Sequence, residues 1–304
     1  MTSSPIISAL SVPGNVRGMA LMFVATMFFS AMHAAIRYYS AELHPFELAF
    51  FRNLFGLIVV LPWFIRHGLA PLRTQRLPLH GLRALLNLVG MLTFFYALSL
   101  IPLSRAAALS FSAPLFATVL AVLFLGEVVR ARRWTAILFG FAGTMVVLRP
   151  GLESIGSGEI MMLMSSAVWA CALMVIKSLT RTESTITITS YMLLLMVPLS
   201  AIPAALVWEW PRWDQLIWLA GIGMAGTIGQ LLMTQALKEG ETNVVMPLDF
   251  FKLIWAVLLG YLLLGEVPDM FTWIGGAMIF LGGTYIAYRE SKLRAAANLK
   301  PPDR

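Results

Sequence analysis

Two residues of opposite charge, Asp249 and Lys252, stand three positions apart within 246–267, an otherwise mostly apolar run long enough to cross a bilayer. On insertion scales a charge at a helix centre costs roughly 2.5 to 3.5 kcal/mol, so the two together cost about 6 kcal/mol before any pairing. The thirteen Leu, Ile, Val and Phe residues from Val244 to Leu264 return roughly 4 to 8 kcal/mol on the same scale. Residues three apart share a helix face, so the pair can neutralise itself. That leaves two readings. The pair is structural, each charge satisfying the other, or it is a solute-binding or proton-coupling group, the default for an ionisable residue inside a membrane. Thr242, Ala256 and Gly260 fall on the same face, and Ser110, Ala117 and Ala121 form a matching stripe in an earlier segment. Small residues on both leave either tight packing or a cavity, and the charges favour a water-lined cavity. Pro247 removes a backbone hydrogen bond just before the pair.

Other polar residues inside apolar runs extend the candidate set. Thr26, Ser30, His33 and Arg37 line one side of the first run, and His33 is either a proton carrier or a buried, hydrogen-bonded histidine. Arg52 lies a third of the way into the second run. Snorkelling to the outer interface is its expected fate; facing inward, it would grip a carboxylate in two-pronged fashion. Asn87 and Tyr96 follow in the third run, and Gln230 and Gln235 offer uncharged donors and acceptors in the eighth. Trp169 and Trp255 are placed to stack on an aromatic or cationic solute, unlike Trp208, Trp210, Trp213 and Trp218, which cluster as interface anchors. Gly90 and Gly229 are expected at close helix contacts. Four scattered histidines and one cysteine, Cys171, supply no metal-ligand cluster, and no phosphate-cradling Walker loop appears. The chain is therefore expected to be no enzyme, to hold no cofactor and not to be driven directly by ATP.

These residues need a membrane scaffold. Of the 304 residues 59% are hydrophobic and 12% charged, a balance that cannot cover a water-facing surface. The start lacks the pattern of a cleaved signal. Apolar segments predict ten spans, at 17–38, 45–66, 80–100, 103–125, 131–149, 157–177, 186–208, 214–236, 242–264 and 269–288. The net charge of +7 sits mainly in the gaps. With the N-terminus inside, sixteen Lys and Arg residues, Arg83 among them, fall in inner loops and tails against four outside, which orients both ends to the cytoplasm.

The chain also repeats itself. At an offset of 139, Leu125-Gly-Glu-Val128 aligns with Leu264-Gly-Glu-Val267, and Ala97, Phe111, Ala117, Trp134, Phe141 and Gly143 align with Ala236, Phe250, Ala256, Trp273, Phe280 and Gly282. Near the start an offset of 140 pairs Phe29 with Trp169 and Arg37 with Lys177. Five spans is an odd number, so the second copy enters from the opposite side. Such inverted repeats are a signature of secondary transporters, with the site near the midplane where the copies meet. Expected units are a first repeat at 17–149, an inverted second at 157–288 and a basic cytoplasmic tail at 289–304. Glu127 and Glu266, at span ends, read as capping or conformation-locking groups.

Residues 50–56, Phe-Phe-Arg-Asn-Leu-Phe-Gly, and the Ala-Leu, Pro-Leu, Leu-Gly-Glu pattern closing spans four and nine resemble the ten-helix EamA-like branch of the drug/metabolite transporter superfamily. The resemblance covers about 17 to 288. It implies alternating access by one polypeptide around a cavity lined mainly by helices one, three, four, six, eight and nine, and includes exporters of the YddG type for aromatic amino acids. The expected fold is an all-α integral membrane protein of ten helices in two inverted five-helix repeats. The expected function is export or exchange of small amphipathic or zwitterionic metabolites, amino acids included, across a bacterial inner membrane. The alternative is a carrier of anionic solutes held by Lys252 or Arg52. A proton is a candidate coupling ion through Asp249 or His33, and the expected assembly is a monomer or weak homodimer, with no nucleic-acid partner.

Overall fold

The structure is a computed structural model describing residues 14–68, 72–113, 115–117, 119–120, 131–149 and 155–298. Its helices are α1 (Gly14–Tyr39), α2 (Pro45–His67), α3 (Leu77–Leu100), α4 (Leu103–Ser110), α5 (Ala131–Leu148), α6 (Ser157–Leu179), α7 (Thr185–Ala205), α8 (Trp213–Glu239), α9 (Phe251–Leu264) and α10 (Met270–Asn298). A single turn, Thr242–Val245, and a 3-10 stretch, Met246–Phe250, lead into α9. No strand occurs among the described residues.

Among the described residues, α1, α2, α3, α6, α7, α8 and the segment Met246–Leu264 are long and apolar enough to cross a bilayer, and α5 and α10 carry shorter apolar stretches. The expected span 103–125 appears as α4 and the helical residues 115–117 and 119–120. Its end, with Ala121, Leu125 and Glu127, lies outside the described residues, as do residues 299–304 of the expected tail. Local chemistry sets the helix starts. Pro45 opens α2 while Nδ1 of His44 accepts from the Phe46 N–H at 3.2 Å. Ser184 Oγ accepts from the Thr187 N–H at 3.0 Å to cap α7, and Glu159 accepts from the Gly156 N–H at 3.1 Å at the head of α6. Pro247 occupies the break before α9, where its missing N–H and ring disfavour a continuous α-helix.

The inversion can be read from contacts. His33 lies against Phe94 and Arg37 donates to the carbonyls of Leu98 and Ser99, so α1 and α3 run parallel. Ser165 donates to the Gly90 carbonyl and Gly158 abuts Leu100 and Ile101, so α6 runs antiparallel to α3 and hence opposite to α1. The pairings respect the same symmetry: α1 with α8 mirrors α3 with α6 and α2 with α8 mirrors α3 with α7, while α2 with α7, α4 with α9 and α5 with α10 are their own mirror images. Individual contacts repeat as well. Gly18 meets Ala236 and Gly240 on one side, and Gly158, 140 residues later, meets Leu100 and Ile101 on the other. Lys177 donates to the Leu237 carbonyl at 2.5 Å, the counterpart of Arg37 on Leu98 at 3.1 Å.

Close backbone approach holds the helices together, since lipid supplies no hydrophobic drive between them. A Cβ on Gly223 of α8 would come within 2.7 Å of Phe55 Cβ and 2.9 Å of the Gly56 nitrogen on α2. Gly143 and Gly275 seat α5 on α10 equally tightly. Gly229 lies against Phe29 and Ala25 as a packing contact, whereas Gly90 meets Val168 at an ordinary 3.5 Å.

Charged groups tie the halves at the end where α1 and α3 finish. Gly265 adopts φ +65°, a left-handed value that needs no Cβ, and its turn points Glu266 back at the first half. Glu266 accepts from Arg37 Nε at 3.0 Å and from the Leu103 N–H at 2.7 Å, thereby capping α4. Asp269 caps α10 through Thr272 and pairs with Arg149 and Arg105, which also holds Glu159. Burial pushes the Asp269 carboxyl up, but the Thr272 hydrogen bonds and the Arg149 and Arg105 guanidinium groups outweigh it and hold the group below the usual carboxylate range.

Two outcomes follow. Gly223→Ala overpacks α8 against the α2 backbone and lowers stability by about 1 to 3 kcal/mol. Gly221→Ala, with nothing within 4 Å, instead gains about 0.5 to 1 kcal/mol of helix propensity. Thermal unfolding in one detergent separates the two, and equal effects contradict the contact geometry. For Asp269, a folded value below the unfolded one means that its contribution is fully present above the unfolded carboxylate range and is lost as pH falls through the folded value. Asp269→Asn therefore melts lower than wild type at neutral pH, and the gap closes on acidification; a gap independent of pH contradicts the assignment.

Candidate functional site

At the junction of the two halves lies a cavity of about 190 Å³, well above the roughly 10 to 15 Å³ that one water needs. Every helix from α1 to α10 except α5 contributes to its wall. Repeat-related residues face it together. Phe29 and Trp169 line it, as do Phe111 and Phe250, whose ring centroids are 5.4 Å apart. The offset of 139 also places Ser110 opposite Asp249, Ala113 opposite Lys252 and Met91 opposite Gln230, all in the wall. The cavity thus lies on the axis that relates the halves.

Asp249 stands in the 3-10 stretch and Lys252 in the first turn of α9, and both reach the cavity. Lys252 Nζ lies 2.5 Å from Asp249 Oδ1, with side chains 15% and 18% exposed. The contact is Coulombic, since Oδ1 accepts no well-aligned hydrogen bond. Lys252 Nζ also sits 4.8 Å from the centroid of Phe29. The expected pair is present, and it borders open space on one side.

Arg52 corrects the sequence expectation. It does not snorkel: it is 5% exposed and lines the cavity. Nη1 donates to Asn53 Oδ1 at 3.0 Å and Nη2 to the Gly226 carbonyl at 3.2 Å. Gly226 makes this possible, because a Cβ there would fall 2.8 Å from Arg52 Nε. Asn53 is held in turn by Ser200 at 3.2 Å. Among the described residues no carboxylate pairs with Arg52.

Of the remaining candidates, His33, Asn87, Ser110, Gln230 and Trp169 also line the cavity. His33 lies 4.6 Å from Phe94 and 6.3 Å from Phe29 between ring centroids, and neither ring nitrogen makes a hydrogen bond among the described residues. Asn87 is 4% exposed with Oδ1 unpartnered, and Gln230 donates to Thr234 at 3.1 Å. Two candidates fall elsewhere. Trp255, one residue and about 100° before the cavity-lining Ala256, donates to Thr26 Oγ1 at 3.2 Å and packs edge-on to Phe23. Tyr96 faces Phe46 of α2 instead. Gln235 is occupied by Thr185 and Glu239. Sequence reasoning missed Phe94, Ser165, Ser166 and the methionines Met91, Met192 and Met196, which also form the wall. Adjacent serines within an apolar helix were the one available signal. Arg83, counted as a loop cation, is instead 1% exposed within α3, donating to the Ile188 carbonyl at 2.8 Å. The count favouring an inward N-terminus becomes fifteen against four, still one-sided.

Electrically the wall carries Arg52 and Lys252 against one carboxylate, Asp249, on a background of aromatic and thioether surface. Such a wall offers cationic groups, one carboxylate and aromatic faces side by side.

Comparison with known proteins agrees with this architecture. The model of the EamA-like transporter family matches residues 16–149 and again 156–288. The S-adenosylmethionine uptake transporter of Rickettsia bellii is 31% identical over 263 residues, 86% of this chain and 90% of that one. The riboflavin transporter of Vibrio cholerae is 30% identical over 282 residues, 91% and 94% of the two chains, and the pseudopaline exporter of Pseudomonas aeruginosa is 28% identical over 271 residues, 86% and 93%. A solved crystal structure with 21% sequence identity shares the fold at a TM-score of 0.63, covering 89% of this chain and 96% of that one. With the family model spanning both halves, an all-helical membrane scaffold and a central cavity, the chain belongs to the EamA-like transporter family: a multi-pass membrane carrier of small metabolites, not an enzyme.

Proposed function

We propose that the protein is a secondary transporter that moves small zwitterionic or amphipathic metabolites, amino acids among them, by alternating access, in export or exchange. The halves 17–149 and 157–288 are the moving units, and the mirrored contacts of α1 with α8 and α3 with α6 support this division. The protein resides in a bacterial-type inner membrane with both termini and the 289–304 tail cytoplasmic, a placement supported by the Lys and Arg bias. One polypeptide holds the whole cavity, so a monomer suffices.

The observation that carries the reading is Arg52, a buried guanidinium facing the cavity with hydrogen bonds to neutral groups only. A buried charge without a counter-ion is costly, and a solute carboxylate supplies the missing partner in bidentate form. Asp249, already engaged by Lys252, exchanges that partner for a solute ammonium. Phe29, Phe94 and Trp169 clasp the body between them. The relatives named for S-adenosylmethionine and riboflavin fit a cavity with aromatic walls, since both compounds carry fused heteroaromatic rings. His33 and Asp249 are the groups through which a proton would couple.

Counterflow in proteoliposomes tests the reading with tryptophan, riboflavin, S-adenosylmethionine and glucose 6-phosphate as probes. We expect saturable exchange of a carboxylated zwitterion. Losing one charge-assisted hydrogen bond, worth roughly 1.5 to 3 kcal/mol, makes Arg52→Met and Asp249→Asn about 10- to 100-fold weaker at unchanged folding. Arg52→Lys also loses affinity, because the two-pronged geometry goes. Preferred exchange of the phosphorylated probe, with Asp249→Asn silent, moves the assignment to anionic solutes; wild-type-like flux in every variant removes these residues from the site.

A further inference from the structure

Outside the cavity, several buried polar atoms without partners lie on α3 and α7, which pack together. His80 is 1% exposed with both ring nitrogens unpartnered, and Arg83 is 1% exposed with Nε unpartnered. On α7, next to the Ile188 carbonyl that receives Arg83, Thr189 Oγ1 and Ser190 Oγ are fully buried and unpartnered. His80, Arg83 and Asn87 follow at helical spacing on one face of α3, and Asn87 already lines the cavity. The stripe therefore leads from one end of α3 into the candidate site.

Its charge is one-sided. Arg83 donates to the Ile188 carbonyl at 2.8 Å and to the Met192 thioether at 3.5 Å, and no carboxylate pairs with it among the described residues. Arg52, the other buried guanidinium, adds like charge to the surroundings of Arg83. Glu183, which lies within reach of His80, accepts from Thr74 at 2.7 Å. A buried guanidinium with no carboxylate partner is relieved by an oxyanion beside it. The partition is slight: Met192 lines the cavity on one side and touches Arg83 on the other, and a thioether is a weak acceptor on a flexible chain.

We propose that Arg83, with Asn87 and His80, forms a second oxyanion site beside the cavity, reached past Met192, where the carboxylate or phosphate of an arriving solute halts before it engages Arg52. The proposal rests on the transport reading for its direction of use, but the site itself is a binding property. Met192 swings aside, the solute oxygen replaces the sulfur on Arg83, and Asn87, on the same face of α3 and in the cavity wall, leads on to the cavity that Arg52 also lines.

Phenylglyoxal labelling of the purified full-length protein, mapped by mass spectrometry, tests it with inorganic phosphate and benzoate as protecting probes and sodium chloride as the ionic-strength control. Arg83 is expected to react in the folded protein, and phosphate or benzoate to slow it about tenfold where chloride does not. A reactive Arg52 beside an inert Arg83 makes Arg83 a sealed staple between α3 and α7 and overturns the site, as does an Arg83 that reacts without protection. Met192→Leu, which removes the sulfur and keeps the volume, is expected to hasten labelling; slower labelling counts against the partition. Should phosphate protect Arg83 while the wild type exchanges none of the solutes tested above, the proposed substrate reading falls and the site stands. Active exchange with Arg83 inert gives the reverse.

Discussion

A charge taken from water into a bilayer needs compensation from the protein itself, and this requirement organises the whole molecule. Asp249 and Lys252 compensate each other. Arg37 and Glu266 do so at one end of the bundle, with Leu103 as a third party. Arg52 and Arg83 obtain only amide, carbonyl and thioether partners. The interior therefore holds two guanidinium groups that no carboxylate pairs with among the described residues, one of them, Arg52, in the cavity wall.

Inverted symmetry explains where this imbalance is located. Both members of many repeat pairs face the cavity, yet their chemistry differs: Ser110 opposes Asp249, Ala113 opposes Lys252 and Met91 opposes Gln230. The shared geometry relates the two halves about one axis, and the divergent side chains make the cavity wall chemically asymmetric. Structural contacts kept their symmetry, as Gly18 and Gly158 or Arg37 and Lys177 show, and so did the aromatic pair Phe111 and Phe250, while the polar cavity residues diverged.

Glycine provides the complementary constraint. At Gly223 and Gly56 the backbones of α8 and α2 approach until no Cβ fits, and at Gly226 the same close packing makes room for the Arg52 guanidinium. Helix packing and site formation are thus one event on α8. The short 3-10 stretch at Met246–Phe250 has a similar double role, since Pro247 interrupts the helix beside the ionic pair that it helps present to the cavity.

The sequence by itself determined the membrane setting, the inverted repeat and the pairing of Asp249 with Lys252, because hydropathy, an odd span number and a three-residue spacing are all fixed along the chain. It also pointed to His33, Asn87, Ser110, Gln230 and Trp169, polar or aromatic residues conspicuous in apolar runs. Only the tertiary structure decided that Arg52 turns inward, that Arg83 is no loop residue and that Trp255 and Tyr96 face other helices. The reason is that spacing tells which residues share a helix face but not what that face meets. Gly226, which admits Arg52, lies 174 positions away from it, and no local pattern records that encounter.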